Sequence, residues 1–387
     1  MEELPLLPVD YVFTGAGSQP ITFAFSYRAT LDPELLANGL RQVAEHMRPL
    51  QSRLLRTSET DYKFRADPDP PAIDVRSSSS IFEAGTKVEQ YISPVRSLEG
   101  EPLTRIVLTQ TPGGSVLAVS ISHALVDGFS YFHFLSSWAR TCRGDRLILP
   151  SLEREIFLSQ IDRTARDVPP ESLTDQCGLF HAGRREASRS VREERFFLSD
   201  ESIKSAVEGA RQSRGQSMTE NDVIAAILWQ KYLPLWLSGA GNPRVYLTLP
   251  LDFRRVMPGF QKSYFGCALC FATASTDRQS LLNSSPGDLA LLVRSAVTRM
   301  RSEQILRSMS TLDAFRRNRG LAAVEELHLR HPASGMIVTN LTRMPIGDID
   351  FGSGAPADYS AYLEVSRGAA ILPGSGGANI LVGHPSD

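Results

Sequence analysis

The sequence predicts an α/β (α+β) protein of two similar domains, each a mixed β-sheet with flanking helices, joined by a long crossover loop. Three observations predict it. The chain has 387 residues, too long for one ordinary domain and comfortable for two. Hydrophobic residues are 42% and charged residues 22%, the balance of a chain with a real core. Strand-like and helix-like segments interleave twice, once on each side of a charged, aperiodic stretch. The domain reading is residues 1–165, a crossover at 166–192, and residues 193–387.

The elements follow in order. "PITFAFSYRA" (20–29) reads as a strand and "DPELLANGLRQVAEHM" as a helix, with Asp32 as N-cap and Pro33 at the first helical position. Leu36, Leu40, Val43 and Met47 recur at helical spacing, so one face is buried. "RIVLTQ" and "SVLAVSIS" are strands joined through the hairpin signal "TPGG". A helix follows, from about Phe129 to Cys142. Residues 150–195 are charged, Pro-containing and aperiodic, the mark of a crossover. "RFFLSDESIKSAVEGAR" then repeats the strand, cap and helix order. "TENDVIAAILWQKYL" reads as a buried helix whose Thr219 and Asp222 resemble a capping box. "RVYLTLPLDFRR" and "SYFGCALCFATAS" read as strands, helices fill 286–330, and "GMIVTNLTRM", "YLEVSRG" and "GGANILVG" read as closing strands. "PGSGGAN" is a glycine-rich loop without the Lys and following helix of a phosphate-binding loop.

Composition narrows the function. A net charge of −2 does not suggest a nucleic-acid or membrane-surface partner. Four Cys in this length make no disulfide framework; Cys267 and Cys270 fall on opposite faces of a strand, against a redox or zinc pair. "MEELPLLPVDYVF" lacks the basic start and apolar run of a signal peptide, and no apolar run approaches a membrane span. The sequons at Asn283 and Asn340 carry little weight without secretion, so a cytoplasmic protein is expected. No His/carboxylate cluster suggests a metal. His328 and His331 read as solvent-facing residues at a polar helix end.

"SISHALVDGFS" is the stretch on which chemistry turns. Leu117, Val119, Ile121 and His123 share one face of a strand, and a His in register with a buried face is ordinarily packed core. Asp127-Gly128 as a turn is equally ordinary, and His133 reads as a packing or surface residue. The chemical alternative is a neutral imidazole at a rigid strand end, taking a proton from a hydroxyl or amine that then attacks a thioester directly. There is no G-x-S-x-G elbow to suggest a serine intermediate. Asp127, close along the chain, holds the loop's shape at least as readily as it touches the reaction; buried, it needs a cationic partner.

"SHALVDGFSYFHFLSSWARTCRG" resembles the H-x-x-x-D-G region of BAHD-type acyltransferases, part of the chloramphenicol acetyltransferase-like superfamily. The resemblance runs in order along most of the chain. "RPLQSRL" is similar to the family's PLAGRL segment, "MTENDVIAAILWQ" to its ST-x-D-x-L-x-A-x-x-W helix, and "LPLDFRRVMPGFQKSYFG" to VD-x-R…YFGN. "VTNLTRMP" is similar to TSW-x-R-x-P, "DIDFGSG" to DFGWG, and "AAILPG…NILVG" fits the last hairpin. It implies two domains of the same fold with a solvent channel between them. His123 is then the general base and Asp127 a structural residue paired with Arg254, with Gly128 in the turn. Thr339 or Asn340 is the oxyanion donor. Acyl-CoA is the co-substrate, without a metal. The acceptor is a small-molecule alcohol or amine of specialised metabolism, and the protein is expected to be a monomer. Arg316, Arg317 and Arg319 in "FRRNRG", with Arg299 and Arg301, are candidates for the CoA phosphates, although a solvated helix face accounts for them equally.

The sequence departs from the family at three places. Cys267 stands for the Asn of YFGN, Leu341 for the Trp of TSW, and Ser353 for the Trp of DFGWG. These departures touch donor recognition and the oxyanion site and leave His123, Asp127 and Gly128 intact. Two alternatives stay open: a condensation-type enzyme fed by a carrier protein, and a fold retained for binding or cyclisation. Condensation domains carry His-His-x-x-x-Asp-Gly, and here Ser122 precedes His123.

Overall fold

The computed structural model describes residues 3–80, 82, 88–185, 191–214, 218–239, 241–363 and 365–385. The first part of the chain forms strands β1 (Glu3–Pro5), β2 (Ile21–Tyr27), β3 (Ser52–Arg56), β4 (Tyr62–Ala66), β5 (Ile73–Ser77), β6 (Thr104–Thr111) and β7 (Gly114–Ile121), with helices α1 (Pro33–His46) and α2 (Gly128–Cys142). Short helices α3 (Glu155–Leu158) and α4 (Leu173–Cys177), strands β8 (Phe180–His181) and β9 (Arg192–Ser199), and helices α5 (Asp200–Arg214) and α6 (Glu220–Trp236) follow. Strands β10 (Arg244–Asp252) and β11 (Leu269–Asp277) lead to helices α7 (Arg278–Asn283), α8 (Pro286–Arg299) and α9 (Ser302–Val324). The chain closes with β12 (Leu327–His328), β13 (Gly335–Asn340), β14 (Asp358–Ala361), β15 (Gly368–Gly374) and β16 (Gly377–His384).

These elements form two compact units that are not continuous in sequence. The first comprises Met1–Ser159, Gly259–Ala268 and Met344–Tyr362; the second comprises Gln160–Pro258, Leu269–Arg343 and Leu363–Asp387. The boundaries expected from sequence put 259–268 and 344–362 with the later domain, and both segments join the first unit instead. Hydrogen bonding is the reason. β14 pairs antiparallel with β2, Asp358 opposite Ser26 and Ala361 opposite Phe23. Ser151 donates to the Ser263 carbonyl and Phe265 to that of Ser151, which anchors the 259–268 segment. The closing strand expected at "YLEVSRG" accordingly lies upstream, at Asp358–Ala361; residue 364 of that stretch is outside the described residues.

The first unit is built on a five-stranded sheet in the order β14-β2-β7-β6-β5, beside a three-stranded sheet β1-β4-β3. β6 and β7 close through two residues, Thr111 facing Gly114, as "TPGG" signalled. Every residue of β7 is buried, because both faces of the sheet are covered. On one face Phe23 meets Tyr131 and Phe132 of α2 at ring-centroid distances of 5.7 and 5.1 Å. On the other, Ala24, Val107, Val116 and Ala118 pack with Val88, Tyr91 and Ile92. Asp32 caps α1 by accepting from the Glu34 N–H. Trp138 of α2 donates its indole N–H to the Leu36 carbonyl at 2.9 Å, and Gly39 leaves room there for Cys142 and Trp138.

The second unit carries a six-stranded mixed sheet, β11-β10-β13-β15-β16-β9, and the pair β12-β8. α6 is apolar around its whole circumference, with Val223, Ala225, Trp229 and Leu233 all at 0% exposure, so it is the core helix of the unit. Its start is a complete capping box between Thr219 and Asp222. Two expectations change here. The crossover 166–192 is not structureless: it folds into α4 and β8, with Leu173, Cys177 and Phe180 buried; residues 186–190 lie outside the described residues. "SYFG" is not part of β11, which begins only at Leu269, so Cys267 lies in the preceding loop; all four Cys are free.

Candidate active site

The site is built from the end of β7. The strand stops at Ile121, and His123 to Leu125 form a tight turn, so His123 does not continue the strand face. Ser122 makes the turn. Its carbonyl accepts from the Leu125 and Val126 N–H groups at 3.0 and 3.2 Å. Its hydroxyl accepts from Ala124 at 3.2 Å and bonds the Ser97 hydroxyl at 2.6 Å. The turn is therefore closed by backbone and serine bonds alone, and the imidazole takes no part in holding it.

The His123 ring is held by packing. It lies face to face with Phe13, centroids 4.1 Å apart and planes 7° from parallel. Nδ1 is shut away from solvent and makes no full hydrogen bond. The carbonyls of His123 and Val126 lie near the ring and favour a bound proton, but burial outweighs them and pulls the His123 pKa below its ordinary value of 6.5. The ring is thus neutral at neutral pH, the state a proton acceptor needs. Phe13 was not foreseen, because nothing in the spacing of "DYVF" links it to a residue in β7's turn.

Asp127 caps α2. Its carboxylate accepts from the Ser130 N–H at 2.9 Å and from the Ala268 N–H at 2.9 Å. Ser130 adds a second clamp: its hydroxyl donates to the Gly266 carbonyl at 2.9 Å and accepts from the Gly266 N–H at 3.0 Å. Asp127 and Ser130 together fasten "GCA" (266–268) to the start of α2. Gly128 is corrected by this arrangement. It is not a turn residue but the first residue of the helix, because the cap at Asp127 starts the helix immediately after it. Arg254 belongs to the second unit; it is 2% exposed and its guanidinium meets the Asp252 carboxylate at 3.0 Å.

Thr339 and Asn340 end β13. The Asn340 amide is spent locally. Its N–H₂ donates to Asn221 at 2.9 Å, and its oxygen accepts from the Thr342 N–H and hydroxyl at 2.9 and 2.7 Å. Thr339 is half-buried, and its side chain is not tied into this cluster.

The arginines expected to meet CoA phosphates are engaged elsewhere. Arg316 pairs with Asp313 at 2.8 Å, and Arg317 pairs with the same carboxylate at 2.9 Å. Arg319 pairs with Asp167 at 2.8 Å and donates to the Val168 carbonyl. Arg316 and Arg317 are paired within α9, and of the three only Arg319 fastens the crossover to that helix, a tie that sequence spacing does not reveal because Asp167 lies 152 residues away. His328 and His331 also differ from expectation. His328 belongs to β12 and its ring meets the Gly183 carbonyl at 2.9 Å, while half-buried His331 stacks on Tyr246 at 5.4 Å. His133 packs against Phe129, centroids 5.8 Å apart. Two clefts of the first unit, about 440 Å³ beside Arg28 and Asp358 and about 530 Å³ beside Arg53 and Asp69, are not lined by His123. Among the described residues no His, Cys, Asp and Glu cluster could hold a metal, and no helix is long and apolar enough to cross a membrane.

Comparison with known proteins identifies the family and the fold. Vinorine synthase of Rauvolfia serpentina is 23% identical over 369 residues, spanning 89% of this chain and 79% of that protein. Putrescine hydroxycinnamoyltransferase 1 of Oryza sativa subsp. japonica is 23% identical over 387 residues, spanning 95% and 85%. The fold matches the crystal structure of F. graminearum TRI101 complexed with coenzyme A and deoxynivalenol, with a TM-score of 0.77 at 15% identity over 100% of this chain and 96% of that one. The vinorine synthase crystal structure matches with a TM-score of 0.70 at 16% identity, over 99% and 92%. The model described as "Transferase family" covers residues 89–382, most of both units and the whole His123 turn, and the chain therefore belongs to this family of BAHD-type acyltransferases.

Proposed function

We propose that this acyltransferase moves an acyl group from acyl-CoA to the hydroxyl, or amine, of a small specialised metabolite by direct transfer. The observation that carries the reading is His123: a neutral ring, held by packing, on a turn that does not use it. In this reading the ring proton sits on the buried Nδ1, on the side of the His123 and Val126 carbonyls that favour it, and Nε2 is the accepting nitrogen. Nε2 takes the acceptor's O–H (or N–H) proton as that atom attacks the thioester carbonyl. The tetrahedral oxyanion gains a hydrogen bond from Thr339, the residue of the β13 end whose side chain is not spent on its own loop. Collapse breaks the C–S bond. The proton on Nε2 goes to the departing thiolate, leaving an ester or amide and free CoA. Asp127 supports the turn through its bonds to the Ser130 and Ala268 N–H groups.

The names of the relatives support the reading: hydroxycinnamoyl transfer to putrescine in one, alcohol acyl transfer in another from Malus domestica. Coenzyme A in the TRI101 structures supports the donor class. Ser122 supports CoA over a carrier-bound donor, because the position that condensation domains fill with a first His is here consumed by the turn. Calorimetric titration with CoA and acetyl-CoA tests the donor. Micromolar affinity, on the order of −8 kcal/mol, is expected. Absence of binding to either by folded protein overturns the reading in favour of a carrier-bound donor or a non-acyl role.

A further inference from the structure

We propose that the buried Asp10–Arg154 pair positions His123: it fixes the Asp10–Phe13 turn so that the Phe13 ring holds the imidazole in one rotamer and one tautomer. This rests on the general-base reading above and adds to it three residues that the family motifs do not contain.

The pair is unusually costly. Asp10 is 0% and Arg154 2% exposed, with 2.6 Å between carboxylate and guanidinium. The guanidinium lies over the rings of Phe64 and Tyr264, at 4.9 and 5.8 Å. Two desolvated charges rarely stabilise a fold better than apolar residues of the same shape, so stability alone does not explain them. What they do locally is plain. The Asp10 carboxylate also accepts from the Leu7 N–H at 2.8 Å. Asp10, Val12 and Thr14 donate to the carbonyls of Leu7, Val9 and Tyr11, winding the segment into a 3-10 turn whose residues 10–13 are all buried. Arg154 ties this turn down through the Asp10 carboxylate. In a 3-10 turn, residues three apart share a side, so fixing Asp10 fixes Phe13.

Phe13 matters because it fixes the plane of the imidazole, and with it the side of the ring that faces the His123 and Val126 carbonyls. Nδ1 lacks a full hydrogen bond, and the stacked ring is its one aromatic neighbour recorded among the described residues. Turned over, the imidazole would present an N–H donor where an accepting lone pair is required.

The test pairs ring ¹⁵N NMR with steady-state kinetics, using His123→Gln to assign the His123 signals among the seven histidines. In the wild type a single Nδ1–H tautomer is expected. Phe13→Leu keeps an apolar side chain but removes the ring. It is expected to give a mixture of tautomers and a kcat lower by about 10- to 100-fold, with KM for both substrates within about twofold. Asp10→Asn should move both readouts the same way; because it removes the carboxylate partner of buried Arg154 and so costs stability, Asp10→Leu/Arg154→Met is made beside it. That double variant should recover the melting temperature and keep the tautomer mixture and low kcat. Full kcat in the double variant, or a single tautomer in Phe13→Leu, overturns the proposal. If Phe13→Leu scrambles the tautomers while His123→Gln still turns over, the positioning stands and the general-base reading falls.

Discussion

At the end of β7, a serine closes the turn and leaves the histidine beside it free of hydrogen-bonding duties. At the end of β13, the asparagine bridges Asn221 to Thr342 and has little left to offer a substrate. Both stretches carry family motifs, and both place a polar side chain just where a strand stops. The difference is who holds the loop. Where a neighbour does, the polar residue is available for chemistry; where the residue does, it is part of the scaffold. Motif spacing cannot distinguish these cases, because the deciding partners (Ser97, Phe13, Asn221) lie far away in the chain.

The contrast can be broken or sharpened by substitution. His123→Ala should have the largest effect, a loss of about 10²–10⁴-fold in kcat with the fold intact; retained turnover would end its role as base. Thr339→Val, nearly isosteric, should lower kcat on the order of 10²-fold with little change in KM if its hydroxyl meets the oxyanion. Asp127→Ala should act on stability first. It removes an N-cap and strands the buried Ala268 N–H, together about 2–3 kcal/mol by chemical denaturation. Activity lost without any shift in the unfolding midpoint would contradict that scaffold role. Asn340→Ala should cost about 1–3 kcal/mol by leaving the Thr342 N–H and Asn221 unpaired, with turnover per folded molecule nearly unchanged. A large drop in kcat there would erase the contrast between the two strand ends.

The smallest effect expected is in pH. Because burial lowers the His123 pKa, kcat/KM should reach half its plateau below pH 6.5 on the acid side. The same shift makes the unfolded chain bind the proton more readily than the folded one. Stability from this residue is therefore present above about pH 6.5 and lost as pH falls through the lower folded value. A kinetic midpoint above 7 would place the base elsewhere.

What was legible in the sequence was local or carried by the family motifs. Asp32 and the Thr219–Asp222 box announce helix starts because capping needs partners two or three residues away. The β6–β7 hairpin is written in "TPGG", and His123 and Asp127 stand in their motif. Illegible were the features decided by distant partners. Gly128 read as a turn because sequence does not show how early the cap at Asp127 begins the helix. Arg319 read as a candidate for the CoA phosphates because Asp167 reaches it only in the folded second unit, whereas the pairing of Arg316 and Arg317 with Asp313, three and four residues away, is of the local kind that spacing does show. β14 was placed downstream of its true position because its register is set by β2.

That last pairing has a consequence for how the protein is made. β2, "ITFAFSY", is finished early and pairs with β7 soon afterwards, but its other edge waits for β14. At ordinary rates of synthesis that wait lasts roughly ten to fifty seconds, during which an apolar strand edge lies open on the nascent chain. A chain stopped before residue 344 never closes it. Such a truncation, though it keeps the whole His123 turn, should accumulate as insoluble protein, and the intact chain should depend on chaperones most heavily in the interval before Asp358–Ala361 emerge.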